Sequence, residues 1–309
     1  MITSLFRKST PLNYALIIIS VTVFFFLYQI GHGEPANSLI GFGKMIGLLT
    51  VIFGSLFTAN FIVKKNGLSK DSSYTILFYL MFVLFFPGIL NKPNLLLSNF
   101  FVLLALRRLM SLHSLKAAKE KVFDASLWIF VAALFHFWSI IFILLVFISI
   151  LFHVARDYRS WVLPFLAFFV VAAVFGLVAL FFDESLIQFV LDKTETNFSI
   201  NYFTSNKQNV ALSFYASIAL FFVASMLITL SSRPLVLQAS YKKIIVAFLI
   251  GAAIFVVSSD KSNETLLFTI APLSFMATSH IEWPQEILKR EIKLAIVILS
   301  GLFLFFYQL

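Results

Sequence analysis

Residues Ala125 to His153 read ASLWIFVAALFHFWSIIFILLVFISILFH, 29 positions without one Asp, Glu, Lys or Arg. As one continuous helix this run would be about 43 Å long at ~1.5 Å per residue, well beyond the ~30 Å hydrocarbon core of a bilayer. It would also put its basic flanks, RRLMSLHSLKAAKEK (107–121) and ARDYRSW (155–161), on opposite faces of a membrane. Breaking the run at FHFWS (Phe135 to Ser139) gives two short helices and keeps both flanks on one face. Loops on the cytoplasmic side carry the excess of Lys and Arg, so the broken reading is the one expected, and it sets the parity of the rest of the chain.

The composition agrees with repeated crossing of a membrane. Of the 309 residues, 61% are hydrophobic and 40 are Phe, and the mean hydropathy is +0.98. Charged residues make up only 12%, about half of the ~25% usual in soluble domains. Apolar runs fall at 12–30, 45–63, 73–90, 94–107, 123–135, 137–153, 161–181, 210–230, 244–257, 265–280 and 293–308. The expected fold is therefore an all-α polytopic bundle of about eleven transmembrane helices, one membrane domain over residues 1–309. The first run follows Arg7 and Lys8 and is longer than a secretory signal core, so it reads as an uncleaved anchor. The absence of cysteine excludes disulfides, iron–sulfur clusters and thiolate chemistry.

With the N-terminus inside and the runs alternating, 18 of the 23 Lys and Arg and 7 of the 14 Asp and Glu fall on the inner face. The inner face then carries +11 and the outer face −2. The net charge of +9 is accounted for by this asymmetry and by attraction to anionic inner-leaflet lipid, so no nucleic-acid partner is expected. The implied location is the bacterial inner membrane, with a cytoplasmic N-terminus and a periplasmic C-terminus.

Several runs are too short to reach both surfaces. The two helices made from 125–153, the run after FFPGILNKPN (85–94), and the runs of 14 and 16 residues flanking SSDKSNE (Ser258 to Glu264) are all of this kind. Backbone that turns inside a membrane is tolerated only where protein buries it or where it lines a wet cavity. These hairpins are thus expected around an outward-facing cavity, with the charged knot at a recessed turn. Ionisable groups at such depth are functional candidates.

Chemistry-bearing residues on this side are few. In the first outer loop, GHGEPANS (31–38), Glu34 has His32 two residues before it and could serve as a general base, or be a solvated loop carboxylate. Lys261 is the best-placed cation for a lipid phosphate, unless Asp260 and Glu264 neutralise it locally, and Lys92 in NKPN is second. His136, in the break at FHFWS, could carry a proton or donate to substrate, or cap a helix end. No metal-ligand spacing occurs among the five histidines, and no cofactor is expected. A divalent cation held by outer carboxylates and a phosphate is the exception allowed. The outer segment 183–209 (DESLIQFVLDKTETNFSINYFTSNKQN) could lie on the membrane, cover the cavity or meet a partner. Pairs of small residues four apart, Ser55 and Ala59, Ala172 and Gly176, and Ala247 and Gly251, mark places where helices could approach closely.

MITSLFRKSTPLN (1–13), FFPGILNKPNLLLSNFFVLLALRRL (85–109) and FDASLWIFVAALFHFWSIIF (123–142) together resemble a family of uncharacterised polytopic inner-membrane proteins of about this length from Bacteroidota. That resemblance implies location and source but no activity. A more distant, architectural resemblance is to the C-type glycosyltransferases, which use polyprenyl-phosphate-linked sugars and carry an acidic residue in the first external loop, short helical hairpins, and a late outer turn like DKSNETLLFTIAPLSFMA (260–277). It implies Glu34 as catalytic base and Lys261 as the cation facing lipid phosphate. The chain departs from that pattern in lacking paired acids in its first loop, an arginine and aromatic after the late cluster, and a large external domain.

Three functions stay open on these grounds. The first is a glycosyltransferase-like enzyme that handles a polyprenyl-phosphate sugar at the periplasmic face. The second is a non-catalytic subunit or assembly factor of an envelope complex, with membrane-protein partners. The third is a lipid translocator or transporter.

Overall fold

The computed structural model describes residues 2–32, 39–183, 185–194, 196, 205–258 and 261–309. The described chain is all-α. It opens with α1 (Ile2–Phe6), α2 (Pro11–His32), α3 (Leu39–Lys65) and α4 (Tyr74–Leu84). Then come α5 (Pro93–Met110), α6 (Ala118–Phe135), α7 (Ile143–His153), α8 (Tyr158–Phe182) and α9 (Ser185–Asp192). The last four are α10 (Asn206–Thr229), α11 (Leu235–Val257), α12 (Leu267–Glu282) and α13 (Ile287–Gln308). Among the described residues seven helices, α2, α3, α5, α8, α10, α11 and α13, are long and apolar enough to cross a membrane, and each of the eleven apolar runs contains one helix.

The chain folds into two compact units, each discontinuous in sequence. The first comprises Met1–Leu96, Phe203–Arg233 and Ile270–Leu309, and the second Leu97–Tyr202 and Pro234–Thr269.

At the centre of the first unit is α4. All eleven of its residues are buried, including the rings of Tyr74, Phe78, Tyr79 and Phe82. A helix apolar on every side has no face to offer water and belongs inside a bundle. Here α2, α3 and α13 pack on it. The approach of α13 is close at Gly301, where a Cβ would lie 3.1 Å from the Met81 carbonyl oxygen. Beyond α4 the chain turns through a 3₁₀ segment, Pro87–Asn91, before Pro93 starts α5. Breaking a helix frees carbonyls that need donors. Gln308 Nε2 donates to the Phe85 carbonyl at 2.8 Å, and Gln29 Nε2 reaches the Leu90 carbonyl at 3.4 Å.

In the second unit α6 packs along α8, with Phe130 edge-on to Phe168 at 5.3 Å and Ala125, Ala132 and Ala167 fully buried. The run 125–153 is broken as its length requires. α6 ends at Phe135, His136 is extended, and Phe137–Phe142 is a 3₁₀ turn leading into α7. Of the three pairs of small residues, Ser55 with Ala59 and Ala247 with Gly251 are buried, whereas Ala172 is exposed and Gly176 has open space around it. Gly251 is the tightest position: a Cβ there would lie 2.9 Å from the backbone carbon of Phe268.

Two expectations from length need correction. The run after FFPGILNKPN, expected to be too short to cross, lies within Pro93–Ser114, 22 residues that are long and apolar enough to do so. α11 has 23 residues, where the apolar run gave 14, because it starts nine residues earlier, at Leu235. At ~1.5 Å per residue it is about 35 Å long, so helix length does not place the turn after Val257 at a recessed depth. Burial describes that turn better, Ser258 and Asn263 being 2% and 4% exposed.

Candidate functional site

The polar knot after α11 lies in the second unit. Ser258 ends the helix in an extended conformation, and Asn263–Leu266 form a 3₁₀ turn into α12. Ser258, Asn263 and Thr265 are 2%, 4% and 4% exposed, so protein encloses these three side chains. Its own hydrogen bonds tie it together, since Thr265 donates through both its N–H (3.0 Å) and its hydroxyl (2.8 Å) to the Ser262 carbonyl. Lys261 and Glu264 are half-buried, and Asp260 lies outside the described residues.

Two neighbours within the unit complete the arrangement. The 3₁₀ turn of Phe137–Phe142 packs on α11, and the His136 ring sits 5.4 Å from the ring of Phe268, in the first turn of α12. His136 is held by its backbone, which donates to the Ala132 carbonyl at 3.1 Å and accepts from the Ser139 N–H at 3.0 Å. On another side Thr196 forms an antiparallel bridge with Ser258. The outer segment 183–209 starts at Asp183, whose carboxylate accepts from the Ser185 N–H at 2.9 Å. Hydrogen bonds from the Ser185 side chain and backbone hold that carboxyl below the usual carboxylate range.

The remaining sequence candidates belong to the first unit. Glu34 lies outside the described residues. His32, the last residue of α2, is exposed and stacks on Tyr28 with ring centroids 5.0 Å apart. Lys92 is exposed and ends the Pro87–Asn91 turn, its carbonyl accepting from the Leu96 N–H at 3.0 Å. The structure thus brings His136 and the Lys261–Glu264 turn into one unit and holds His32 and Lys92 in the other. Among the described residues no group of three His, Asp or Glu is placed to hold a metal ion.

Sequence reasoning missed two groups. Lys243, counted with a basic loop, is fully buried in α11. Its ammonium donates to the Leu109 carbonyl at 2.6 Å and faces His153 Nε2 at 3.2 Å. Leu109 is in the last turn of α5, where carbonyls lack intrahelical donors and a lysine can supply one. In the first unit His280 pairs with the Ser225 hydroxyl through Nδ1 and with Lys293 Nζ through Nε2 at 2.9 Å, and Lys293 also donates to Gln285 Oε1 at 2.7 Å. Neither group has a motif. Their only trace in the sequence is a polar residue at the edge of an apolar run.

Fold and composition define a multi-pass α-helical membrane protein whose helices are interrupted by short buried turns. Residues 7–309 match the family of unknown function DUF6427, and the chain belongs to that family. No curated protein and no solved structure matches it.

Proposed function

We propose that the protein handles a lipid-linked, phosphate-bearing substrate at the knot of the second unit, as a glycosyltransferase-like enzyme that uses a polyprenyl-phosphate sugar at the periplasmic face of a bacterial inner membrane. One observation carries this reading. In the turn after α11 Ser258 and Asn263 are buried and Lys261 and Glu264 are half-buried, and His136, at the break between α6 and α7, holds its ring 5.4 Å from that of Phe268, just beyond this turn. Ionisable residues at breaks between apolar helices of a membrane protein are functional candidates, since such breaks can line cavities or substrate paths.

In the transfer itself an acceptor hydroxyl oxygen bonds to the anomeric carbon as the bond from that carbon to the phosphate oxygen breaks. The bonding pair leaves with the polyprenyl phosphate, and the hydroxyl proton passes to a carboxylate base. Lys261 would balance the charge growing on the departing phosphate, and positioning with charge stabilisation would supply most of the rate.

The test is purification from the native membrane in a gentle detergent, with mass spectrometry of bound lipids and accompanying proteins. A polyprenyl-phosphate species is expected with the parent protein, depleted about tenfold by Lys261→Ala, the usual effect of losing one charge-assisted contact. Bulk phospholipid alone, together with a stoichiometric membrane-protein partner, would overturn the enzyme reading in favour of a non-catalytic subunit.

A further inference from the structure

The first unit contains a cavity of about 390 Å³ that the proposed function does not use. Arg7, Lys8, Lys70 and Arg290 line it together with Ser72, Tyr74 and Glu282. These residues come from the start of the chain, the link between α3 and α4, the end of α12 and the first turn of α13. Positive charge at loops on one face is ordinary in a membrane protein. Four cations converging on one partly open cavity are not explained by that rule.

Hydrogen bonds fix the walls. Tyr74 donates its hydroxyl to the Thr3 carbonyl at 2.6 Å, and the Ser73 N–H donates to the Phe6 carbonyl at 2.9 Å. Asn13 Nδ2 donates to the carbonyls of Leu5 (2.8 Å) and Lys8 (2.7 Å), which sets the backbone around Arg7. On the other side the Ser9 N–H meets the Asp71 carbonyl at 3.1 Å. The N-terminal segment is therefore a built wall of the cavity.

The nearby carboxylates are already engaged. Glu282 accepts from the hydroxyls of Ser69 and Ser72, both at 2.6 Å, and from the Lys70 N–H at 2.9 Å. Asp71 is paired with Lys64 at 2.9 Å, and Glu291 accepts from the Thr3 N–H at 3.1 Å and from its hydroxyl. Among the described residues Arg7, Lys8, Lys70 and Arg290 take part in no ion pair. The Nε of Arg290 is buried without a hydrogen-bond partner. A buried guanidinium nitrogen in that state costs free energy until an acceptor reaches it.

We infer that this cavity is a binding site for a phosphate group, carried either by a lipid headgroup or by a soluble phosphate, on the face that charge sorting assigns to the cytoplasm. A phosphate supplies up to two charges and several strong acceptor oxygens, the complement of a converging set of Arg and Lys. The volume lies within the ~300–1,000 Å³ typical of small-ligand sites, which leaves room for what the phosphate is attached to. The inference stands apart from the lipid-linked substrate proposed for the second unit, and either can fail without the other.

The experiment is a titration of the purified full-length protein in a neutral maltoside detergent, followed by thermal unfolding. One arm adds inorganic phosphate, and the other adds phosphatidic acid to the micelle, with phosphatidylcholine as its control. Saturable stabilisation is expected in at least one arm. Inorganic phosphate acting alone identifies a soluble ligand, and phosphatidic acid acting where inorganic phosphate does not identifies a lipid headgroup. The double variant Arg7→Gln, Lys70→Gln alters two exposed side chains and should raise the half-saturating concentration about tenfold or more, as expected for lost charge-assisted contacts. Lys8→Gln provides the same comparison should the double variant fold poorly. Lys289→Gln, whose parent residue pairs with Glu286 at 3.2 Å and lies outside the cavity lining, should leave the titration unchanged. No saturation in either arm, or an equal loss with Lys289→Gln, would overturn the inference.

Discussion

The two units of this protein handle the breaks between their helices in opposite ways. In the first unit the break after α4 is apolar and closed, with its carbonyls at Phe85 and Leu90 supplied with donors by Gln308 and Gln29. In the second unit the breaks at His136 and after Ser258 retain a histidine, a lysine and a glutamate, and part of the outer segment comes back to them through Thr196. Both solve the same problem, which is that buried backbone leaving a helix needs its polar groups satisfied. The first break supplies its Phe85 and Leu90 carbonyls with neutral amides, and its one ionisable residue, Lys92, is exposed at its end. The second keeps ionisable side chains, half-buried, at His136, Lys261 and Glu264. On the function proposed above, that contrast separates a turn made for packing from one suited to a ligand.

Substitutions can break the comparison from either side. The largest effect is expected from Gly251→Val, because even a Cβ at this position would lie 2.9 Å from the Phe268 backbone. Backbone there cannot yield as a flexible side chain can, so the cost should reach or exceed the ~1–3 kcal/mol of overpacked cores. It would be read as lost folded yield and a lower unfolding temperature, with the His136–Phe268 contact disturbed. A variant as stable as the parent would show that the second unit does not hold its turn against α11. A smaller effect is expected from Gln308→Leu. It leaves the Phe85 carbonyl without its side-chain donor, a loss of about 1–3 kcal/mol, and should lower thermal stability without changing any lipid retained through Lys261. Loss of bound lipid in Gln308→Leu at full stability would mean that the first break is also functional.

Much of the fold was legible because its signal is long. Runs of apolar residues predict helices, and the need to keep 107–121 and 155–161 on one face predicts the break that His136 makes. Ends were less legible where a charge misleads. Lys242 and Lys243 suggest a loop, yet α11 runs through them because Lys243 places its ammonium on the free carbonyl of Leu109. The glutamines that close the first break look like minor polar interruptions in the sequence, since their partners are carbonyls, which have no letter. The basic cavity is hidden for another reason. Arg7, Lys70 and Arg290 lie far apart in the chain, and each is individually accounted for by the rule for inner loops. Convergence is a property of the fold alone. The knot at Ser258 to Glu264 was visible as composition, although the reason first given for its burial, a short α11, is not the one the structure supplies.

The most direct test uses the lack of native cysteine, which makes every introduced thiol unique. Lys261→Cys and Leu90→Cys would be treated in intact cells with a maleimide that passes the outer membrane but cannot cross the inner one. The account predicts modification at position 261 from the periplasmic side, and none at position 90, where the parent side chain is 3% exposed. It would be contradicted by a folded Lys261→Cys protein that resists the reagent or reacts only once the inner membrane is opened, or by equal reaction at both positions.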